Sequence, residues 1–358
     1  MKKIALFLAV ALCLALCLMV PASAEESAEE PALESEGFRW RLLEDGTAEI
    51  LKYIGGELGL TIPETLDGHP VTSIGEEAFY NYKYDMSGIR IPASVTHIGS
   101  GAFSMTDLTE IEIPAGVVSM EENPFGYCTS LETITVAEGN PAFYVQDGVL
   151  FCSGDRSLVC FPNMLADPED EEEHTYTVPD GTEIIRGDAF GGVEGLSEIL
   201  LPESLRAIGS QAFGFCFGLD RITIPDGVTE IGDAAFDTCN LGRAVLPAGL
   251  KRIPSMLFYQ CEDLSAVEIP ETVTEIGDGA FCSCGCLKEI RIPDGVTEIG
   301  ASAFEGCWSL KSVVIPDSVQ AIGGSAFNSC AEDLVILCGP DSFAKTYCEQ
   351  NGIAFRTE

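Results

Sequence analysis

The sequence has few basic residues, since 19 lysines and arginines stand against 57 aspartates and glutamates in 358 residues, for a formal net charge of −38. A surface this acidic repels nucleic acids and anionic lipids, so we expect neither as a partner. Beyond the N-terminal segment, no hydrophobic run is long enough to span a bilayer. Hydrophobic residues still make up 46% of the chain, a fraction typical of a packed core.

Motifs for catalysis and cofactor binding are also missing. The chain has no GxSxG, HExxH, P-loop or GxGxxG motif. Its three histidines, His69, His97 and His174, are far apart in the sequence and are interpreted as surface residues. We therefore predict a protein without enzymatic activity and without a cofactor.

The N-terminus has the features of a secretory signal. Two lysines at positions 2 and 3 precede an apolar run from Ile4 to Val20, and Ala22-Ser23-Ala24 matches a cleavage site. We predict a signal peptide over residues 1–24, cleaved after Ala24, in preference to a membrane anchor. The mature protein is then secreted or held at the cell surface, without membrane insertion. Residues 25–37 are predicted to be an acidic linker without regular structure.

A repeat dominates the rest of the chain. The nonapeptide IPDGVTEIG occurs at 224–232 and again at 292–300. Landmark prolines recur at Pro92, Pro114, Pro179, Pro202, Pro225, Pro247, Pro270, Pro293 and Pro316, with steps of 22 or 23 residues from Pro179 onward. A phenylalanine follows each by 11 residues, from Phe103 to Phe327. A fixed period of this size indicates a solenoid.

One unit, residues 219–240, reads LDRITIPDGVTEIGDAAFDTCN. Ile222 and Ile224 alternate with polar residues, which predicts a strand with one buried face, and Pro225 ends its pairing. A second short extended segment runs from Val228 to Ile231. One coil cannot bury these side chains alone, whereas stacked coils can.

The pattern LxxIxIPxxVxxIGxxAFxxCxxL resembles the BspA-type leucine-rich repeat of bacterial surface and secreted proteins. The resemblance implies a curved right-handed solenoid with a role in adhesion or ligand binding. We thus expect a repeat solenoid, mainly β, with about 23 residues per leucine-rich repeat coil, an N-terminal β-hairpin cap and a C-terminal helical cap.

The domain limits follow from where the period starts, breaks and ends. We predict a hairpin cap at 38–60 with a turn at Asp45-Gly46, coils at 61–136, an irregular hairpin insert at 137–178, regular coils at 179–338 and a C-terminal cap at 339–358. The cap helix would span 341–351, with Asp341 or Ser342 as its N-cap and Gly352 after its C-terminus, and with Phe343, Ala344, Tyr347 and Cys348 on its apolar face.

The insert has two notable segments. One is a hairpin that turns at Gly154-Asp155, and the other is the acidic run from Asp167 to His174. Carboxylates are calcium ligands, but this run lacks EF-hand spacing, so we favour a solvated loop over a calcium site.

Thirteen of the 15 cysteines lie outside the signal peptide, and seven of them follow the landmark phenylalanine by three residues. These ladder cysteines are Cys128, Cys216, Cys239, Cys261, Cys284, Cys307 and Cys330. Because Thr106 and Val193 occupy the same slot in other coils, we predict buried thiols rather than disulfides. The cluster CSCGC at 282–286 offers three local sulfurs, one fewer than structural zinc requires, so we predict no metal site.

The candidate binding surface is the outward row of the IxIP strands, two residues before each proline. It comprises Arg90, Glu112, Leu200, Thr223, Val245, Glu268, Arg291 and Val314. In a leucine-rich solenoid this row lines the concave sheet, and its exposed apolar members favour a ligand. Glu268 and Arg291, on adjacent coils, are expected to pair across strands.

The predicted function is a non-catalytic binding or adhesion module for a protein or glycan on a host or neighbouring cell surface. The alternative is a secreted carboxylate-based hydrolase with its site in or near the insert. Glu230, Glu275 and Glu298 recur at one repeat position, which favours a solvated face over a catalytic pair.

Overall fold

The structure, a computed structural model, describes residues 32–56, 60–82, 86, 89–166 and 174–357. The predicted signal peptide and most of the acidic run at 167–174 lie outside these residues. No helix in the described ranges is long and apolar enough to cross a membrane.

The N-terminal cap is a three-stranded antiparallel sheet of β1 (Leu33–Ser35), β2 (Phe38–Leu42) and β3 (Ala48–Tyr53). The expectation of an unstructured linker at 25–37 is therefore wrong for its last residues. Glu36 and Gly37 both have positive φ, which forms the two-residue turn that suits a hairpin. The indole of the buried Trp40 donates a hydrogen bond to Ser35 and fixes β1 to the cap.

The first coils begin with a small hairpin and continue as parallel strands. The elements are β4 (Thr65–Leu66), β5 (His69–Ile74), β6 (His97–Ile98), β7 (Glu110–Ile113), β8 (Ser119–Met120) and β9 (Thr133–Val136). The extra residues of the first coil form the β4–β5 hairpin. Strands β3, β5, β6 and β8 pair in that order, and β7 pairs with β9, so each coil contributes to two separate ladders.

The irregular insert is a three-stranded meander of β10 (Phe143–Gln146), β11 (Val149–Cys152) and β12 (Ser157–Cys160), followed by a 3-10 turn at Asn163–Leu165. The predicted hairpin around Gly154-Asp155 is present as β11–β12, and β10 is an additional strand. Every residue of β11 and β12 is buried, because both faces of the meander are covered.

The regular coils alternate two kinds of strand. IP strands lie just before the landmark proline. IG strands are two residues long and end on the isoleucine of the IPDGVTEIG segment or its equivalent, as Glu230–Ile231 does. They are β13 (His174–Thr177), β14 (Ile184–Ile185), β15 (Leu196–Leu200), β16 (Ala207–Ile208), β17 (Arg221–Thr223), β18 (Glu230–Ile231), β19 (Arg243–Val245), β20 (Arg252–Ile253), β21 (Ala266–Glu268), β22 (Glu275–Ile276), β23 (Glu289–Arg291), β24 (Glu298–Ile299), β25 (Ser312–Val314), β26 (Ala321–Ile322) and β27 (Val335–Cys338). Odd-numbered members are IP strands and even-numbered members are IG strands, and like pairs with like in parallel.

A third ladder runs along the landmark phenylalanines. The amides of Gln211, Phe213 and Phe215 all donate to carbonyls of the next coil. The residues two before and two after the phenylalanine have left-handed backbones in nearly every coil, with φ between 52° and 76°. This conformation is costly for residues other than glycine, and the hydrogen bonds between coils offset its cost.

The chain ends in the predicted helical cap. Helix α1 (Phe343–Asn351) has Ser342 as its N-cap, whose hydroxyl accepts from the Lys345 amide, and Gly352 as a left-handed C-cap. Strand β28 (Ala354–Thr357) then extends the IP sheet beside β27. Ala344 and Cys348 are buried and Tyr347 packs against the core as expected, whereas Phe343 is 43% exposed and does not belong to the apolar face.

Two hydrophobic cores form, one on each side of the meander. Val149 and Phe151 point into the core of the regular coils, while Leu150 and Cys152 point into the core of the first coils. This follows from the alternation of side chains along a strand. The result is one β-solenoid that contains two phenylalanine stacks.

Candidate ligand-binding face

The outward row of the IP strands forms a surface, here called the IP face, whose residues are in register from coil to coil. Leu200 lies between Thr177 and Thr223 on neighbouring strands, and Val245 lies beside Glu268. In the last sheet the order is Arg291, Val314, Leu337 and Arg356. Within each of these short sheets the predicted residues point to the same face, and the row is divided among several separate sheets.

Exposure varies along this row. Arg90, Glu112, Leu200, Thr223, Val245, Glu268 and Arg291 are exposed, and Val314 is half-buried. Arg90 belongs to no strand, and Glu112 lies in β7 beside Thr135 of β9. Leu200 and Val245 are 44% and 46% exposed, which leaves apolar area open on a surface of charged residues.

The expected pairing of Glu268 with Arg291 does not occur. Glu268 forms its ion pair with Arg243 of the preceding strand, and Arg291 binds Asp294, three residues on, at 3.1 Å. Arg243 reaches Glu268 along a diagonal of the parallel ladder, and Asp294 lies in the turn directly after the Arg291 strand. Both pairs are exposed, so each contributes at most about 1 kcal/mol.

A separate surface, here called the IG surface, carries the outward residues of the IG strands. Glu230, Glu275 and Glu298 are all exposed, as a solvated face requires. Glu275 lies in register between Arg252 and Glu298.

A groove of about 900 Å³ runs along this IG surface where the insert meets the regular coils. Four carboxylates line it, and three of them already form hydrogen bonds that hold the structure. Asp155 binds Arg186 and Ser157, Glu122 accepts from the Gly187 amide, and Glu121 accepts from the Ser100 amide. Asp155, Glu122 and Glu121 are thus engaged in structural hydrogen bonds, and the fourth carboxylate, Glu230, is one of the exposed glutamates that recur on the IG strands.

Arg186 is the centre of this junction and was not identified from the sequence. The guanidinium is buried and donates to Ser157, to Asp155 and to the carbonyls of Met120 and Glu121. Burial opposes ionisation of Asp155, but the hydrogen bond from Ser157 and the charge of Arg186 outweigh it and lower the pKa of that carboxyl.

The sequence did contain a signal for Arg186, because most coils have glycine at this slot, four residues before the phenylalanine. A Cβ at Gly232 would lie 2.3 Å from the Ser210 amide nitrogen of the preceding coil, so ordinary coils need glycine there. An arginine fits at 186 because the layer that precedes this coil is strand β12 of the meander and not a regular coil.

A second set of junction residues is buried beside Tyr127. The Tyr127 hydroxyl donates to Gln211 at 3.1 Å, and a Cβ at Gly214 would lie 2.6 Å from that hydroxyl oxygen. Burial, then the charge of Glu122, raises the pKa of Asp188 to about 7, and its Oδ1 atom has no hydrogen-bond partner. Asp237, which lies inside the second stack and not at the junction, has its pKa raised to about 7 by burial as well.

The predicted ladder cysteines are free thiols in the structure, and six of the seven are buried, with Cys330 half-buried. Each donates a hydrogen bond to the carbonyl of the landmark phenylalanine in the preceding coil, as Cys239 does to Phe213 at 3.0 Å. Thr106 and Val193 are buried at the same slot, which confirms that it is a packing position.

Other candidate groups do not converge. His69 contacts the Gly46 carbonyl, and His97 contacts Ser119 on the next strand. In the CSCGC segment Cys284 is buried while Cys286 is exposed. Within the described ranges, no group of three or more histidine, cysteine or carboxylate side chains is arranged to hold a metal ion.

Comparison with one solved structure shows the same fold. A leucine-rich repeat protein from Eubacterium ventriosum is 20% identical, with a TM-score of 0.66 over 83% of this chain and 94% of that one. One from Bacteroides ovatus is 24% identical, with a TM-score of 0.49 over 91% and 99%. Comparison with curated proteins finds no match.

The family model described as the BspA type leucine rich repeat region matches six copies, over residues 60–152, 172–241 and 207–334. These ranges cover well over half of the chain and include both the first coils and the regular coils. The protein therefore belongs to the BspA-type leucine-rich repeat family.

Proposed function

We propose that this protein is a non-catalytic binding module that is secreted or held at a bacterial cell surface, and that it takes a protein or glycan ligand on the IP face. The observation that carries the proposal is the exposed, in-register row of IP residues, in which Leu200 and Val245 stand among charged side chains. Apolar area inside a charged border is the composition of many protein interfaces.

The rigidity of the face supports the same function. Each IP strand is hydrogen-bonded to a neighbouring coil, and the inward side chains of those strands pack in the core. A ligand that binds several coils would therefore meet side chains that are already in place, which lowers the entropic cost of association.

The proposal is tested by screening the protein without residues 1–24 against immobilised matrix proteins, glycans and cells. Val245→Asp and Arg291→Glu should each weaken the binding of a retained partner about tenfold or more, because both alter the centre of the IP face. Binding should also depend on salt, since most of the surface is acidic.

Glu275→Arg is the matched control, because Glu275 is equally exposed but lies on the IG surface. All three variants should retain the circular dichroism spectrum and thermal midpoint of the wild type. Normal binding by both IP variants together with lost binding by the control would show that the ligand uses the other surface.

A further inference from the structure

Trp308 is the most exposed large apolar side chain among the described residues, at 55%, whereas the other tryptophan, Trp40, is 1% exposed. It directly follows the ladder cysteine Cys307, at the corner that leads into IP strand β25. This corner lies outside the row that forms the IP face.

The neighbouring coil is shaped to receive the indole. A Cβ at Gly285 would lie 2.1 Å from Cζ2 and 2.4 Å from Cε2 of Trp308, so the ring rests directly on the backbone of that coil. Gly285 occupies the slot that Trp308 occupies one coil later, and the same slot holds Glu262 and Asn240 in earlier coils. The glycine thus supports one side of the indole while the rest faces solvent.

The surroundings of the indole are polar. Across residues 246–342, all of which the structure describes, Trp308 is the sole large hydrophobic side chain that is exposed. Ser309 follows Trp308 directly, and Ser283 and Cys286 lie close to Gly285 in the sequence of the coil on which the ring rests. Glu262 occupies the slot of Gly285 one coil earlier; it and Cys286 are exposed, and the two serines are half-buried. The core of a protein interface usually combines several apolar anchors, which this corner lacks.

We propose that Trp308 is the platform of a second binding site, which takes a neutral pyranose of an oligosaccharide. The axial C–H bonds of a pyranose stack on one aromatic face, and its hydroxyls need polar partners around the ring, so a single tryptophan among carboxylate and hydroxyl groups fits this ligand. The net charge of −38 disfavours anionic sugars. The site is independent of the IP face, and either can fail without the other.

The test uses tryptophan fluorescence, since Trp40 is buried and Trp308 is the indole that a ligand can reach. The full chain without residues 1–24 is titrated with cellotetraose, chitotetraose and β-1,4-galactotetraose, and with a tetragalacturonate as the anionic comparison. At least one neutral sugar should give a saturable change, and the uronate should give none. Absence of a saturable change with every neutral sugar would overturn the proposal.

Calorimetric titration of variants with the same sugar assigns the site. Trp308→Ala should weaken binding about tenfold or more, Trp308→Phe should lose less, and Gly285→Ala should also weaken it by displacing the ring. Phe343→Ala, which removes another exposed aromatic residue, is the control and should bind as the wild type does. Sugar binding by Trp308→Ala that equals the wild type would refute the site. So would a wild type that binds no sugar but binds a protein partner that Trp308→Ala no longer binds.

Discussion

The two phenylalanine stacks are built in the same way, but the first is short and the second is long. Ring centroids of Phe79, Phe103 and Phe125 are 5.0 and 5.7 Å apart, and those from Phe190 to Phe327 are 5.1–5.7 Å apart. The second stack starts at Phe161, which follows the meander and lies 5.2 Å from Phe190. Each regular coil therefore packs on the one before it, and different contacts are needed where the insert interrupts the repeat.

The contacts between the two stacks are made by residues that depart from the repeat. Arg186 replaces a glycine and binds carbonyls of the first stack, and Asn123 donates to the Asp188 carbonyl across the same boundary. Tyr127 also reaches from the first stack to the second, where its ring lies beside glycines. Residues that depart from the repeat consensus therefore make the contacts of the junction, whereas the interior of each stack is built largely from consensus residues.

The largest expected effect comes from removing the junction arginine. Arg186→Ala should lower the free energy of unfolding by about 3–5 kcal/mol, because it removes the buried donor of the Ser157 hydroxyl and of two carbonyls, together with the charge that faces Asp155. Denaturant unfolding measures the change, with Arg252→Ala, an exposed arginine of the IG surface, as the control that should cost less than about 1 kcal/mol. A similar small loss for both variants would mean that Arg186 does not join the stacks.

The next effect concerns pH and compares a junction aspartate with one inside the second stack. The pKa values of Asp188 and Asp237 are raised to about 7 in the folded protein, so the folded state holds protons that the unfolded state releases above about pH 4. Stability should therefore fall as pH rises from about 4 to about 7, by on the order of 2–4 kcal/mol for each group.

Asp188→Asn and Asp237→Asn should each reduce this slope when the free energy of unfolding is measured at several pH values. The general charge repulsion of the acidic chain acts in the same direction but is nearly unchanged by a single substitution, so the difference from the wild type isolates each group. A slope that neither variant alters would contradict the raised pKa values.

The smallest effect is expected at the cysteine slot. Cys261→Val should cost less than about 1.5 kcal/mol, because Val193 already fills the equivalent position and the volume is nearly conserved. Thiol titration of the denatured, non-reduced wild type should find the ladder cysteines free. Titration of most of them as oxidised pairs would contradict the assignment of this slot to packing.

The sequence allowed accurate prediction of the backbone arrangement where the period held. The strand order, the cysteine slot, the capping helix and the outward position of the IP residues all follow from one coil and its repetition. The charge pairing of Glu268 and Arg291 was not predictable in the same way, because the repeat does not specify that Arg243 and Asp294 take these two partners instead.

The junction escaped prediction for a different reason. Arg186, Tyr127 and Asp188 each contact residues that lie about 65 to 84 positions away, across an insert whose path the repeat does not specify. Trp308 was not identified either, although Gly285 in the same slot one coil earlier was a readable sign of a large neighbour.

The central claim, that ligands bind the IP face of the solenoid, is tested most directly by hydrogen–deuterium exchange with and without a partner retained in the binding screen. Binding on this face predicts added protection in the IP strands from β15 to β25, with exchange of the IG strands β16 to β24 unchanged. Protection confined to the IG strands and the groove beside the insert would contradict it.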